Sequence, residues 1–111
     1  MRLLPSLRER RRYLAFGILS ENGMSRHDFT EGLRRSASSL LGDAGESECG
    51  MQLLSFDGIC GIVRCVHTHV TQTRAALAAI HEIKDSRIAV YVIGISGTVK
   101  GAKRFFGAGH E

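Results

Sequence analysis

Alternation of apolar and polar residues predicts strands, and apolar residues repeated every three or four positions predict helices. Residues 13–19 form the first predicted strand, with every second side chain apolar on one face. A helix is predicted over residues 25–42, because Ser25 is a favoured N-cap and Gly42 is a favoured terminator. The apolar stripe of this helix consists of Phe29, Leu33, Ala37 and Leu40.

The dipeptide Asp57-Gly58 predicts a hairpin between strands over residues 51–56 and 59–66. A two-residue turn would pair Phe56 with Ile59, Leu54 with Gly61 and Met51 with Arg64. Three further elements follow: a helix over residues 71–85, a nearly continuous apolar strand over 88–95 and a helix over 98–106.

The element order predicts a βαββαβ core, an α/β sandwich of the ferredoxin-like or RRM-like class. Its four-stranded antiparallel sheet would carry two helices on one face, with the C-terminal helix in addition. We expect one domain over residues 1–111, with a basic, partly flexible N-terminal arm at 1–10, the α/β core at 11–97 and a basic C-terminal helix at 98–107.

Two helices cover only one face of such a sheet, so the other face is expected to expose apolar side chains. The predicted hairpin register places seven residues there, namely the five named next together with Ser55 and Cys60. We therefore predict a protein interface, with another protein or a second copy of the chain, formed by Met51, Leu53, Ile62, Arg64 and Val66.

Charge is concentrated at the ends of the chain, within a formal total of +4. Residues 1–12 contain five arginines and one glutamate, and residues 98–111 contain three basic residues and one acidic residue. Concentrated positive charge attracts polyanions, although it is also typical of solvated tails. Three cysteines without a recognisable signal peptide favour a cytoplasmic protein, and no segment reaches the length of a membrane span.

Residues 94–104 are the strongest candidate for binding chemistry, because an apolar strand runs through a glycine turn into a basic helix. Ser96, Gly97 and Thr98 are predicted to contact phosphate oxygens at the helix start. The pattern matches neither a nucleophile elbow nor a Walker loop. An RNA backbone, a nucleotide and a small phosphate ester all remain open as the anion.

The segment around Cys65, His67 and His69 contains metal-ligating residue types but lacks the close cysteine pairs of zinc sites. Buried cysteines occur readily without any such chemistry. We therefore predict no metal site in this chain.

Three stretches in this order resemble the archaeal-type ribonuclease P protein component two family, whose members also occur in the eukaryotic ribonuclease P and MRP enzymes. They are Leu-Arg-Glu-Arg-Arg-Arg-Tyr-Leu at 7–14, Gly-Ile-Val-Arg-Cys at 61–65 and Gly-Ile-Ser-Gly-Thr-Val-Lys at 94–100. The resemblance covers almost the whole chain. It implies a small α/β sandwich that binds the catalytic RNA of ribonuclease P and supports removal of the 5′ leader from precursor tRNA.

The resemblance further implies that the RNA supplies the active site, so no catalytic residue is assigned to this chain and magnesium is expected at the RNA rather than at the protein. The implied partners are the ribonuclease P RNA, the TIM-barrel-like component three and, indirectly, precursor tRNA, in a homodimer or heterotetramer away from membranes. The predicted RNA-binding residues are Arg8, Arg10, Arg11, Arg12, Lys100, Lys103 and Arg104.

Two functions of other classes remain open beside this one. One is a small regulatory or enzymatic domain that binds a phosphate ligand at the turn over residues 94–100. The other is an assembly protein whose basic ends only keep it in solution.

Overall fold

A five-stranded antiparallel sheet organises the chain in the computed structural model, which describes residues 10–107. The strands lie in the spatial order β2-β3-β1-β5-β4. Along the chain the elements are β1 (Arg11–Ser20), α1 (Arg26–Cys49), β2 (Gln52–Phe56), β3 (Cys60–Val66), a 3₁₀ turn (His67–His69), α2 (Val70–Ala78), β4 (Glu82–Ile83), β5 (Ser86–Ser96) and α3 (Val99–Gly107).

The predicted mixed α/β class is confirmed, but the predicted four-stranded sheet is wrong by one strand. Helix α2 ends at Ala78 and not at residue 85, and residues 82–83 pair with β5 as β4. Lys84 and Asp85 have φ values of 48° and 67°, the left-handed pair typical of a type I′ hairpin turn. Ile83 has the apolar spacing expected of a helix that continues to residue 85. It is instead a residue of β4, and its side chain is buried there against Gly32.

Helix α1 begins as predicted and ends later. The Ser25 hydroxyl accepts a hydrogen bond from the Asp28 amide at 3.1 Å, as an N-cap does. Gly42 interrupts the helix with a φ of 77°, but the helix resumes and ends only before Gly50. The predicted loop over residues 42–46 is therefore a kink inside a longer helix.

The predicted hairpin register is also wrong, because the Asp57 side chain closes a longer turn. Its Oδ1 atom accepts hydrogen bonds from the amides of Ile59 and Cys60 at 3.0 and 2.7 Å. Phe56 consequently pairs with Gly61 rather than with Ile59. A bulge after Leu53 then shifts the register once more and places Leu53 opposite Val63, inside the core.

The core lies between the sheet and helices α1 and α2, and three stacked phenylalanines form its centre. Phe29 of α1 stacks against Phe16 of β1 and Phe56 of β2, with ring centroids 5.0 and 4.9 Å away, and the centroids of Phe16 and Phe56 are 6.2 Å apart. Phe16 and Phe29 are fully buried. Such stacking adds to the free energy of burial and fixes α1 across the sheet.

Helix α3 lies on the opposite side of the sheet, which we call the second face. This face carries Ala15 of β1 and its two strand partners, Ile62 and Gly94. The Phe105 ring of α3 rests on Gly94, so closely that a Cβ atom there would lie 2.3 Å from it. Ala15 and Ala102 are fully buried, and α3 therefore covers the middle of the second face.

We predict that Gly94→Ala lowers the free energy of unfolding by about 1–3 kcal/mol, because the added methyl group displaces the Phe105 ring. Urea denaturation measures the change. Gly23→Ala is the matched control, since a Cβ at Gly23 meets nothing within 4 Å.

The same contact predicts non-additivity in a double-mutant cycle. Gly94→Ala should cost much less in a Phe105→Ala background, where no ring remains to be displaced. Equal costs in the two backgrounds would show that α3 is not held by this contact.

Candidate nucleic-acid interface

Pairing of β1 with β5 brings the two basic ends of the chain together. Tyr13, near the start of β1, lies opposite Ser96 at the end of β5. The Arg12 Nη1 atom lies 3.9 Å from the point that a Cβ atom on Gly97 would occupy. The arginine-rich lead-in and the glycine turn, which are more than 80 residues apart in sequence, thus form one surface.

The turn before α3 is organised by two hydroxyl groups. Ser96 Oγ accepts a hydrogen bond from the Thr98 amide at 3.2 Å, and Thr98 Oγ1 accepts one from the Gly101 amide at 3.0 Å. The Thr98 carbonyl then accepts the helical hydrogen bond from Ala102. Thr98 is therefore the N-cap of α3, as the sequence predicted.

Helix α3 separates its apolar and basic side chains. Lys100, Lys103 and Arg104 are three and four positions apart and exposed, so they lie on one outer stripe of the helix. Ala102 and Phe105 attach the helix to the second face. We call Lys100, Lys103 and Arg104 the α3 stripe.

Arg10, Arg11 and Arg12 lie at the start of β1, where Arg12 Nη1 lies beside the turn at Gly97 and Arg11 Nη1 lies 3.6 Å from the point that a Cβ atom on Gly50 would occupy. Arg10 is exposed, and its carbonyl accepts a hydrogen bond from the His67 amide at 2.9 Å. Arg11 and Arg12 are half-buried, and Arg12 Nη1 donates to the Arg11 carbonyl at 3.0 Å. We use the name basic end for these three arginines together with the turn over residues 96–98 and Lys100. The predicted RNA contact Arg8 lies outside the residues that the structure describes.

The residues predicted to form a protein interface are largely covered by the chain itself. Leu53, Ile62 and Val66 are only 7%, 1% and 7% exposed, and Met51 packs against the core. The expected exposure was wrong because the hairpin register moved Leu53 inward and because α3 covers the middle of the second face. Arg64 is half-buried and donates to the Gln52 side chain.

A second set of apolar side chains is exposed instead, and sequence reasoning did not identify it. The set consists of Leu19, Leu40, Ile59, Tyr91, Ile93, Ile95 and Phe105. Three of them belong to β5, although an almost unbroken apolar sequence is typical of a strand covered on both faces. The position of β5 near the edge of the sheet explains the exposure, and only the strand order reveals it.

Cys65, His67 and His69 do not converge on a common point. Burial raises the pKa of the Cys65 and Cys49 thiols, which disfavours the thiolate form that binds metals. His69 Nε2 lies 3.6 Å from a Glu48 carboxylate oxygen, and His67 lies against the Arg10 carbonyl. Residues 10–107 contain no cluster of three or more side chains able to hold a metal ion.

None of the helices within residues 10–107 combines the length and apolarity that crossing a membrane requires. The longest, α1, is kinked at Gly42 and contains several charged residues.

Comparison with known proteins identifies relatives along nearly the whole chain. The family model of the Rpp14/Pop5 family matches residues 12–107. Ribonuclease P protein component 2 of Methanosarcina mazei is 50% identical over 105 residues, which cover 95% of this chain and 90% of that protein. The protein of the same name from Pyrococcus furiosus is 33% identical over 106 residues, covering 94% and 88%.

Among solved structures, a chain in the cryo-EM structure of yeast ribonuclease MRP superimposes with a TM-score of 0.67. The match covers 92% of this chain and 89% of that chain at 12% identity, which establishes a shared fold. The resemblance drawn from three short stretches of sequence is thereby confirmed, and this chain belongs to the Rpp14/Pop5 family.

Proposed function

We propose that this chain is a non-catalytic protein subunit of ribonuclease P that binds the RNA of the enzyme through the basic end and the α3 stripe. Its relatives at up to 50% identity are ribonuclease P protein components. The assignment of this surface rests on one observation: the Arg12 side chain lies beside the turn at Gly97. Two short basic segments thus lie at the same end of the sheet, and each phosphate that such charges neutralise adds to the affinity for a polyanion.

The shape of this surface favours contact with a nucleic-acid backbone rather than with bases. The α3 stripe follows a helix axis for about 6 Å between Lys100 and Arg104, at a rise of 1.5 Å per residue. Successive phosphates along one strand have a comparable spacing, so two or three could be met in turn. Lysine and arginine contacts of this kind position an RNA without reading its sequence.

The hydroxyl of Ser96 has a structural role in the turn. It accepts the Thr98 amide and thereby shapes the start of α3. We accordingly assign cleavage of precursor tRNA to the RNA component, together with the magnesium ions that the reaction uses, and we assign positioning of that RNA to the protein.

A small phosphate ligand is the second candidate for the turn. A phosphate cradle needs backbone amides that point outward. Here the amides of Thr98 and Gly101 already donate to the hydroxyls of Ser96 and Thr98. The turn therefore offers less to a small phosphate than its sequence indicates, and the positive charge around it suits a polyanion better.

The exposed apolar side chains of the second face are our proposed contact with a protein partner of the component-three kind. Leu19 is 65% exposed and Phe105 is 38% exposed, and both belong to this face or to the helix that covers it. A contiguous patch of exposed apolar side chains is typical of a docking surface. Precursor tRNA would then be contacted indirectly, through the assembled complex.

We predict that replacing Lys100, Lys103 and Arg104 together by alanine weakens binding to ribonuclease P RNA and flattens its salt dependence. Each phosphate contact to a single strand contributes about −0.7 to the slope of log K against log salt, so losing three contacts should change the slope by about 2. Filter binding at salt concentrations between about 50 and 300 mM measures the slope.

The matched control is the triple variant Arg34→Ala, Arg35→Ala, Arg74→Ala, which removes the same charge from exposed positions of α1 and α2. Its slope should stay near that of the unmodified chain. A slope that is equally changed in both variants would mean that only net charge matters, and the proposed surface would be wrong.

We also predict that Thr98→Ala lowers the free energy of unfolding by about 1 kcal/mol, because the Gly101 amide loses its acceptor. Thr98→Ser keeps the hydroxyl and should cost much less. Thermal unfolding of the two variants gives the comparison, and equal losses would indicate that Thr98 acts through its methyl group rather than as a cap.

A further inference from the structure

A row of four polar or aromatic side chains crosses the second face beside the basic end. Alternation along the strands places Tyr13, Arg64 and Ser96 on this face, two positions from the residues beneath the middle of α3. Tyr13 lies opposite Ser96 on one side and opposite Arg64 on the other, and Arg64 lies in turn opposite Gln52. We call these four residues the cross-strand row.

Helix α3 covers only one end of the cross-strand row. A Cβ atom on Gly101 would lie 2.1 Å from Ser96 Oγ, so the first turn of α3 lies over Ser96. Tyr13 and Arg64 are half-buried, and Gln52 is exposed. The row is therefore covered at β5 and accessible from solution towards β2.

Arg64 has hydrogen-bonding capacity that the folded chain does not use. Its Nη2 atom donates to Gln52 Oε1, while its Nε atom is buried and has no hydrogen-bond partner. Among residues 10–107 the guanidinium group makes no other hydrogen bond or ion pair. A buried N–H group without an acceptor costs free energy and is uncommon in folded proteins. Because Arg64 as a whole is only half-buried, a rotation of its side chain would offer this donor to a ligand.

Gln52 adds a second set of donors beside Arg64. Arginine only donates hydrogen bonds, so the Gln52 atom that faces it is the carbonyl oxygen. The amide nitrogen of Gln52 then keeps both of its N–H groups for another partner, and no side chain or backbone group within residues 10–107 accepts from them. A ligand that fits the row must therefore offer neighbouring acceptors.

Tyr13 supplies an aromatic ring directly beside these donors. Its hydroxyl makes no hydrogen bond among the described residues. Unstacked bases of single-stranded RNA bind on aromatic rings of this kind, since every base has a π face. Guanine also carries two neighbouring acceptors, O6 and N7, and arginine donation to this pair is the commonest base-specific contact.

We propose that the cross-strand row reads one guanine base of single-stranded RNA. The base stacks on Tyr13, and Arg64 and Gln52 donate to its O6 and N7 atoms. This inference rests on the proposed function, because the phosphate of the same nucleotide would meet Lys100 in the first turn of α3, over the Ser96 end of the row. The α3 stripe then holds the RNA backbone, and the row decides which nucleotide lies at the start of the helix.

Short single-stranded RNAs test the base preference with the purified full chain. The probes are oligouridines in which one central position is changed to guanine, adenine or cytosine. Fluorescence anisotropy should show about tenfold tighter binding of the guanine probe than of the other probes, because only guanine completes the bidentate contact. Inosine, which keeps O6 and N7, should retain the preference, and 7-deazaguanine, which lacks N7, should lose most of it.

Substitutions in the row separate base reading from charge. Arg64→Lys keeps the positive charge but loses the fork of donors, so it should abolish the guanine preference and leave the affinity for plain oligouridine and its salt dependence unchanged. Gln52→Leu changes an exposed side chain that the fold does not need, and it should lower the preference several-fold. Arg35→Lys, at an exposed position of α1, is the matched control and should have no effect.

Tyrosine fluorescence locates the bound base. The chain contains two tyrosines and no tryptophan, so Tyr91→Phe leaves Tyr13 as its only tyrosine. The guanine probe should quench this emission, after correction for absorption by the RNA, because the base stacks on the ring. In Tyr13→Phe only Tyr91 emits, and the same probe should leave its emission unchanged. Tyr13→Ala should weaken binding of every probe about tenfold, because the stacking platform is lost.

Three results would overturn the proposal. The first is an affinity for the adenine or cytosine probe that equals or exceeds the affinity for the guanine probe. The second is a guanine preference that survives both Arg64→Lys and Gln52→Leu, and the third is quenching of Tyr91 instead of Tyr13. In each case salt-dependent binding of plain oligouridine would leave the proposed function standing. Absence of binding to every probe and to ribonuclease P RNA would contradict the proposed function itself.

Discussion

The pairing of β1 with β5 is the contact on which the rest of this molecule depends. It places Tyr13 opposite Ser96, so that the arginines before β1 and the turn after β5 share one end of the sheet. It also places Ala15 beside Gly94, and the Phe105 ring of α3 packs against Gly94. This pairing therefore brings two basic segments that are distant in sequence to the same end of the sheet.

Sequence reasoning succeeded where a local rule was sufficient. Ser25 caps α1, Thr98 caps α3, and Leu14, Phe16 and Ile18 all lie in the core, on one face of β1, as the apolar pattern predicted. It failed where a side chain or a distant contact decided between local alternatives. Asp57 closes a longer turn than its dipeptide with Gly58 favours, and Ile83 fits a helical stripe as well as a buried strand.

The candidate RNA-binding surface could likewise be predicted from the sequence only in part. The basic residues could be identified by charge alone, but their convergence depends on a strand pairing that spans most of the chain. The exposed apolar side chains could not be identified from the sequence, since exposure depends on which strand lies at the edge and on where α3 docks. A nearly continuous apolar strand is usually covered on both faces, and β5 departs from that rule.

Two surfaces of the folded chain thus differ in chemistry: the basic end, which we propose binds RNA, and the exposed apolar side chains of the second face, which we propose contact a protein. The central claim is that the first of these serves ribonuclease P. The most direct measurement is reconstitution of precursor-tRNA cleavage from the RNA and its protein subunits, with the unmodified chain, with the chain lacking the charges of the α3 stripe, and with no chain. We expect 5′ leader removal to require the unmodified chain at physiological salt and to recover at low salt with the altered one. Equal cleavage with and without the chain would contradict the account.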